Sequence, residues 1–106
     1  MTSGNWIEVC ATDDIEPEGV RRFDYQSRTF AIYRSLDNTY YATDGWCTHE
    51  KAHLSDGLIL DHIIECPKHY GRFDYRTGEA KGAPMCVSLK TYPVKIEAGK
   101  VVIDVG

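Results

Sequence analysis

The sequence predicts an all-β fold, an antiparallel sandwich or small barrel, and three observations predict it. Short segments alternate apolar and polar residues with a period of two, turn-forming residues punctuate them, and no long stretch shows the apolar spacing of an amphipathic helix. Early in the chain, "TDDIEPEG" holds one helical turn at most. Gln26-Ser27 turns the chain ahead of "RTFAIYR", in which Phe30 and Ile32 alternate with Ala31 and Tyr33, so the two sets face opposite sides. Asp37-Asn38 supplies a turn between "FAIYRS" and "TYYAT". Near the end, "TYPVKIE" places Tyr92, Val94 and Ile96 on one side and Lys95 and Glu97 on the other. Ala98-Gly99 then forms a two-residue hairpin turn into "KVVIDV". Phe23, Phe30, Tyr40 and Tyr41 are core candidates, and Cys10 and Cys86 read as small buried apolar residues.

Residues from about 45 to 76 break this pattern. "GWCTHEKAHLSDG" is polar and loop-like, "LILDHIIEC" offers two short strands, and "YGRFDYRTGE" reads as strand and turn, with Asp74, Thr77 and Gly78 as the turn chemistry. The picture is a single domain over residues 1–106, a β scaffold with a loop-rich insertion. Loops presented by a rigid scaffold are where function usually sits.

Composition narrows the function classes. Hydrophobic residues make up 42% and charged residues 26%, ordinary for a globular chain. The net charge of −4 argues against nucleic acid as the partner, because phosphate binding needs a basic surface. Residues 1–44 carry four basic and eight acidic side chains, an acidic first third that either steers a basic partner protein or is simply solvated. The start "MTSGNWIEVC" has no basic and apolar leader pattern, and nowhere do eighteen apolar residues run together, so the expectation is a cytoplasmic protein without a membrane partner. In a reducing compartment the four cysteines, Cys10, Cys47, Cys66 and Cys86, are metal ligands or buried thiols rather than disulfides.

The insertion holds the chemistry. "CTHE" supplies Cys47 and His49, and "ECPKHYGRFD" supplies Cys66 and His69: Cys-x-His, sixteen residues, Cys-x-x-His. Two thiolates and two imidazoles are a complete set of four ligands. Zinc accepts such a set, but zinc modules usually pair ligands by kind, whereas here each loop gives one of each. In a Rieske [2Fe–2S] centre two cysteines bind one iron and two histidines the other, so two loops that each offer both kinds clamp a cluster from two sides. The spacing favours iron–sulfur, with a structural zinc module as the alternative from another class. His53 and His62 could in principle join Asp56 or Asp61 in a mononuclear iron site. That arrangement is cramped, and both read as surface loop histidines. None of the nine glycines forms a dinucleotide-binding fingerprint, so NAD(P)H must be oxidised by another protein.

With these boxes in view the chain resembles the Rieske family, and in particular the small, free-standing ferredoxins of bacterial ring-hydroxylating dioxygenase systems. "CTH" and "CPKH" match the two ligand boxes, "LSDG" and "GRFDYRTGEA" flank the second, and "LKTYPVKIEAGKVVIDV" looks like the family's terminal strands. The resemblance implies the Rieske fold, a β-sandwich with a small cluster-binding subdomain at about residues 45–76. It implies one [2Fe–2S] cluster, with Cys47 and Cys66 on one iron and His49 and His69 on the other. It further implies a monomeric one-electron carrier, not itself an enzyme, that takes electrons from an NAD(P)H-dependent ferredoxin reductase and delivers them to a terminal oxygenase. The same fold leaves room for a Rieske protein of another catabolic pathway, rhizopine breakdown, or for the small subunit of a nitrite reductase.

Departures from the family pattern refine this expectation. Respiratory-type members carry a disulfide cysteine in each ligand loop, but here Lys68 stands between Pro67 and His69, and "CTHEKAH" has no second cysteine. High-potential members carry serine and tyrosine hydroxyls two and four residues after the last histidine, where this chain has Gly71 and Phe73. Without those donors to sulfur the added negative charge of the reduced state is less stabilised, so the potential should fall toward the negative end of the Rieske range of roughly −150 to +300 mV. Tyr70 follows His69 where many members have glycine. Pro67 shapes the second loop, Trp46 is placed to shield the metal or to pack beneath it, and Tyr70, Lys51 and Lys68 flank the ligands as part of a docking surface.

Overall fold

The structure, a computed structural model, describes residues 4–48, 51–68, 71–81 and 87–106. Within them three antiparallel sheets form. The first is β1 (Trp6–Ala11), β11 (Lys100–Asp104) and β10 (Val94–Glu97), in that spatial order. The second is β2 (Gly19–Tyr25), β3 (Arg28–Arg34), β4 (Tyr40–Asp44) and β9 (Thr91–Tyr92). The third, built from β5 (Leu58–Leu60), β6 (Ile63–Glu65), β7 (Arg72–Asp74) and β8 (Glu79–Lys81), lies within and just beyond the loop-rich insertion. The helical content of the described residues is two 3-10 turns, Thr12–Asp14 and Leu54–Asp56, the first inside the segment allowed one turn.

The alternation in "RTFAIYR" has a larger consequence than a two-sided strand. Phe30 and Ile32 join an apolar cluster with Cys10, Tyr92, Val101 and Ile103, which fills the space between the first two sheets. Ala31 and Tyr33 join a second cluster with Leu54, Ile64, Phe73, Tyr75 and Leu89, which lies against the third sheet. All four residues from Phe30 to Tyr33 are completely buried, so β3 is the shared wall of two cores. Burying Phe30 and Ile32, at roughly 1.5–3 kcal/mol each, holds the first two sheets together, while Ala31 and Tyr33 on the other face anchor the insertion to the scaffold. Tyr33 and Tyr75 stack with centroids 4.4 Å apart, which ties β3 to the end of β7.

The turns follow their chemistry. Ala98 and Gly99 have φ of 50° and 77°, the positive pair a type I′ hairpin requires, between the paired residues Glu97 and Lys100. Asn38 sits at φ 65° in the β3–β4 turn and accepts from the Arg34 guanidinium. Asp74 accepts from the Arg76 backbone N–H at 2.9 Å and from the Arg76 side chain at 2.8 Å, while Gly78 follows with φ 82°. The chain passes from the second sheet to the first at Pro93, between β9 and β10.

Some expected positions differ in burial. Ile96, expected on the same side as Tyr92, is 46% exposed, since Pro93 separates the two into different sheets and the alternation does not carry across it. Phe23, Tyr40 and Tyr41 pack on the cores only in part. Cys10 is buried, and burial pushes its thiol up, consistent with a small apolar residue. Cys86 lies outside the described residues.

Candidate metal centre

Two loops emerge from the junction of the second and third sheets. The first leaves β4 through three consecutive backbone contacts: Leu54 N–H donates to Gly45 C=O, Trp46 and His53 form an isolated bridge, and Cys47 N–H donates to Ala52 C=O at 2.9 Å. The second sits at the tip of the β6–β7 hairpin. Glu65 pairs with Arg72 across the ladder, and Cys66 N–H donates to Gly71 C=O at 2.7 Å. The two loops are therefore built alike. Each cysteine is the first residue past a paired rung, and its amide closes the loop onto the carbonyl five residues later.

Cys47 and Cys66 are 6% and 1% exposed and belong to the same apolar cluster, with Ala52, Leu54, Ile64, Phe73 and Leu89 around them. The Lys68 backbone N–H donates to Cys66 Sγ at 3.5 Å, a contact within reach for a sulfur acceptor. Thr48 Oγ1 donates to Val87 C=O at 2.5 Å and ties the first loop to the segment that carries Leu89. His49 and His69, with Glu50 and Tyr70, lie outside the described residues. In the sequence they fall inside the two loop closures, His49 between Cys47 and Ala52 and His69 between Cys66 and Gly71. Two thiols brought into one water-poor cluster at the mouths of matched loops fit the paired sulfur donors of an iron–sulfur site.

The positions expected to hold hydroxyl donors are occupied otherwise. Phe73 is fully buried in the cluster, and Gly71 is used for its carbonyl. The hydroxyl of Tyr75 is committed to Asp61 C=O at 3.1 Å, and burial pushes its pKa up to about 12. Trp46 is 41% exposed, so it lies at the surface rather than under the loops. Arg22 and Lys51 stand over its ring, 5.5 and 5.8 Å from the centroid. An open groove of about 490 Å³ runs past it, bounded by Arg22, Lys51, Asp56, Pro67 and Lys68.

His53 departs from the expectation of a surface loop residue. It is 3% exposed, with partners far away in the sequence. Its Nε2 is 2.8 Å from Thr29 Oγ1 and its Nδ1 accepts from the Ser55 backbone N–H at 3.1 Å. Burial, then the nearby Arg22 charge, hold its pKa below the ordinary histidine value. His62 is half-buried beside Asp61, its Nδ1 3.5 Å from Oδ1. Among the described residues no three His, Cys, Asp or Glu side chains converge as a metal-binding group.

The structure thus defines a β scaffold that carries two matched cysteine loops over a buried apolar cluster. Comparison with known proteins makes the class specific. The model of the Rieske [2Fe-2S] domain matches residues 5–93, and the chain belongs to that family. It is 46% identical over 99 residues to the ferredoxin component of the naphthalene 1,2-dioxygenase system of Pseudomonas putida, covering 93% of this chain and 94% of the relative. Among solved structures it superposes on the Sphingomonas yanoikuyae B1 ferredoxin with a TM-score of 0.89 at 38% identity, covering 96% of this chain and 100% of that one. It matches equally, at a TM-score of 0.89 and 34% identity, a chain in the complex of reduced oxygenase and oxidised ferredoxin of carbazole 1,9a-dioxygenase, covering 96% of this chain and 94% of that one.

Proposed function

We propose that this protein is the ferredoxin component of a bacterial ring-hydroxylating dioxygenase system, carrying single electrons from an NAD(P)H-dependent ferredoxin reductase to a terminal oxygenase. The observation that carries the reading is the pair of matched loops with Cys47 and Cys66 buried in one cluster. The near full-length likeness to dioxygenase ferredoxin components supports it.

In this reading Cys47 and Cys66 bind one iron and His49 and His69 the other, and the cluster-binding part of the single domain is about residues 45–76. The [2Fe–2S] cluster supplies a one-electron couple when bound. The chain's own residues set its surroundings. Leu54, Ile64, Phe73 and Leu89 keep water from the thiolate side, and the Lys68 amide donates toward the Cys66 sulfur. Gly71 and Phe73 carry no hydroxyl and the Tyr75 hydroxyl is engaged at Asp61, which supports a potential toward the negative end of the family range. The substrate of the oxygenase never touches this chain, so its role is electron transfer and not catalysis. The protein acts as a monomer in the cytoplasm; among the described residues no helix is long and apolar enough to cross a membrane.

The test is a reconstituted electron-transfer assay. A dioxygenase-system reductase with NAD(P)H should reduce the protein, and the matching terminal oxygenase should reoxidise it. Failure of both steps with wild-type protein that holds its cluster would remove the assignment.

A further inference from the structure

We infer that His53 is a positioning residue for the metal centre: a directed hydrogen-bond chain through its imidazole pins the first ligand loop to the β2–β3 hairpin and so sets the electronic properties of the bound cluster. The inference rests on the proposed function, since it assigns Cys47 to the cluster.

The direction of the chain follows from its donors. His53 Nδ1 accepts from the Ser55 backbone N–H, so that nitrogen carries no hydrogen, and the Ser55 hydroxyl at 2.8 Å donates to it as well. The hydrogen of the neutral ring is therefore on Nε2, facing Thr29 Oγ1 at 2.8 Å. Thr29 in turn spends its own hydrogen on Asp24 Oδ1 at 2.5 Å. The chain runs from Ser55, whose amide and hydroxyl share the Nδ1 lone pair, through His53 and Thr29 to a carboxylate. Asp24 and Thr29 are paired residues of the β2–β3 hairpin, far in sequence from the loop they hold.

Three further contacts join this chain to the ligand loop. The His53 backbone bridges Trp46, one rung before Cys47 closes onto Ala52. The His53 ring meets the Trp46 indole edge to face, with centroids 5.3 Å apart. The ring also needs Gly45 to be glycine, since a Cβ there would lie 2.5 Å from Nε2. Gly45, Trp46 and Cys47 are consecutive, so a shift of the imidazole is passed to the backbone that carries the first sulfur ligand. Groups that orient a ligand tune the metal it holds even without touching it.

The test uses the cluster-loaded protein and four variants. Thr29→Val keeps the shape of the threonine on a strand outside the loop and leaves the His53 N–H without an acceptor; Thr29→Ser keeps the hydroxyl. His53→Leu removes both ring partners, whereas His53→Gln retains a donor at the distal position. Midpoint potential and the electron paramagnetic resonance spectrum of the reduced state are read beside thermal stability. Poised at the wild-type midpoint, Thr29→Val and His53→Leu should change the ratio of reduced to oxidised protein at least threefold, about 28 mV for one electron. Thr29→Ser and His53→Gln should return toward wild type. Variants that melt earlier but keep the wild-type potential and spectrum would reduce His53 to a packing residue and overturn the inference. If His53→Leu does not fold, Thr29→Val decides alone. Wild-type protein without any iron–sulfur signal would instead overturn the functional reading beneath it.

Discussion

Two glycines with nearly the same backbone angle but different surroundings give a sharp test of how the third sheet is held. Gly78 has φ 82° and Gly99 has φ 77°, so an alanine at either pays the same left-handed strain, roughly 1–2 kcal/mol. At Gly99 a Cβ meets nothing within 4 Å, and strain is the whole cost. At Gly78 the Cβ would lie 2.1 Å from the Leu89 carbonyl oxygen and 3.2 Å from Thr91 Cγ2. That carbonyl is backbone, and it cannot slide away cheaply, because Leu89 N–H donates to Gly78 C=O at 2.7 Å. Overpacking of this kind adds about 1–3 kcal/mol. Gly99→Ala should therefore cost about 1–2 kcal/mol and Gly78→Ala about 1–3 kcal/mol more than that. At roughly 4–8 °C per kcal/mol for a chain near this size, the two variants should be well separated in a thermal melt followed by circular dichroism. Leu89 lies in the cluster that surrounds Cys47 and Cys66, so Gly78→Ala should also release its metal at lower temperature. Equal melting temperatures for the two variants would refute the close approach of residues 78 and 89.

Further outcomes follow from other sites. Ala98→Asn should raise stability by up to about 1 kcal/mol in the same melt, because Ala98 holds φ 50° in a turn that favours asparagine. Arg76 holds the Asp74 carboxyl below its ordinary value of 3.8, so this contribution is present above about pH 4 and is lost as pH falls through the depressed folded value. Asp74→Asn should flatten that acid limb in urea melts taken from pH 5 downward, and an unchanged slope would count against the pair. Cys66→Ala should abolish cluster assembly, read as loss of visible absorbance and bound iron. His69→Cys should keep a cluster with an altered spectrum and a lower potential in a redox titration.

The two Cys/His boxes stand out in the sequence because both members of each lie within three residues of one another, and of these four residues the structure describes Cys47 and Cys66, which it brings into one cluster. The turns at Gln26, Asn38 and Ala98-Gly99 were legible for the same local reason, and each carries a positive φ. The first two strands were harder to read. In β2 the adjacent Arg21 and Arg22 blur the alternation, and β1 finds its partner at the far end of the chain, Trp6 opposite Asp104. The alternation in β3 showed two faces but not that both would be covered, since the second cover comes from Leu54, Ile64, Phe73 and Tyr75, all beyond β4. His53 was misread on the same ground. Nothing in "KAHLSDG" announces that Thr29 and Asp24 will meet a histidine more than twenty residues later.

In the proposed function the two matched loops hold one [2Fe–2S] cluster through Cys47, His49, Cys66 and His69. Iron and acid-labile sulfide, determined together with the electron paramagnetic resonance spectrum of the dithionite-reduced protein, test it most directly. Two irons and two sulfides per chain are expected, with a signal that changes when either histidine is replaced. A colourless protein that stays free of sulfide after anaerobic reconstitution and binds one zinc instead would contradict it.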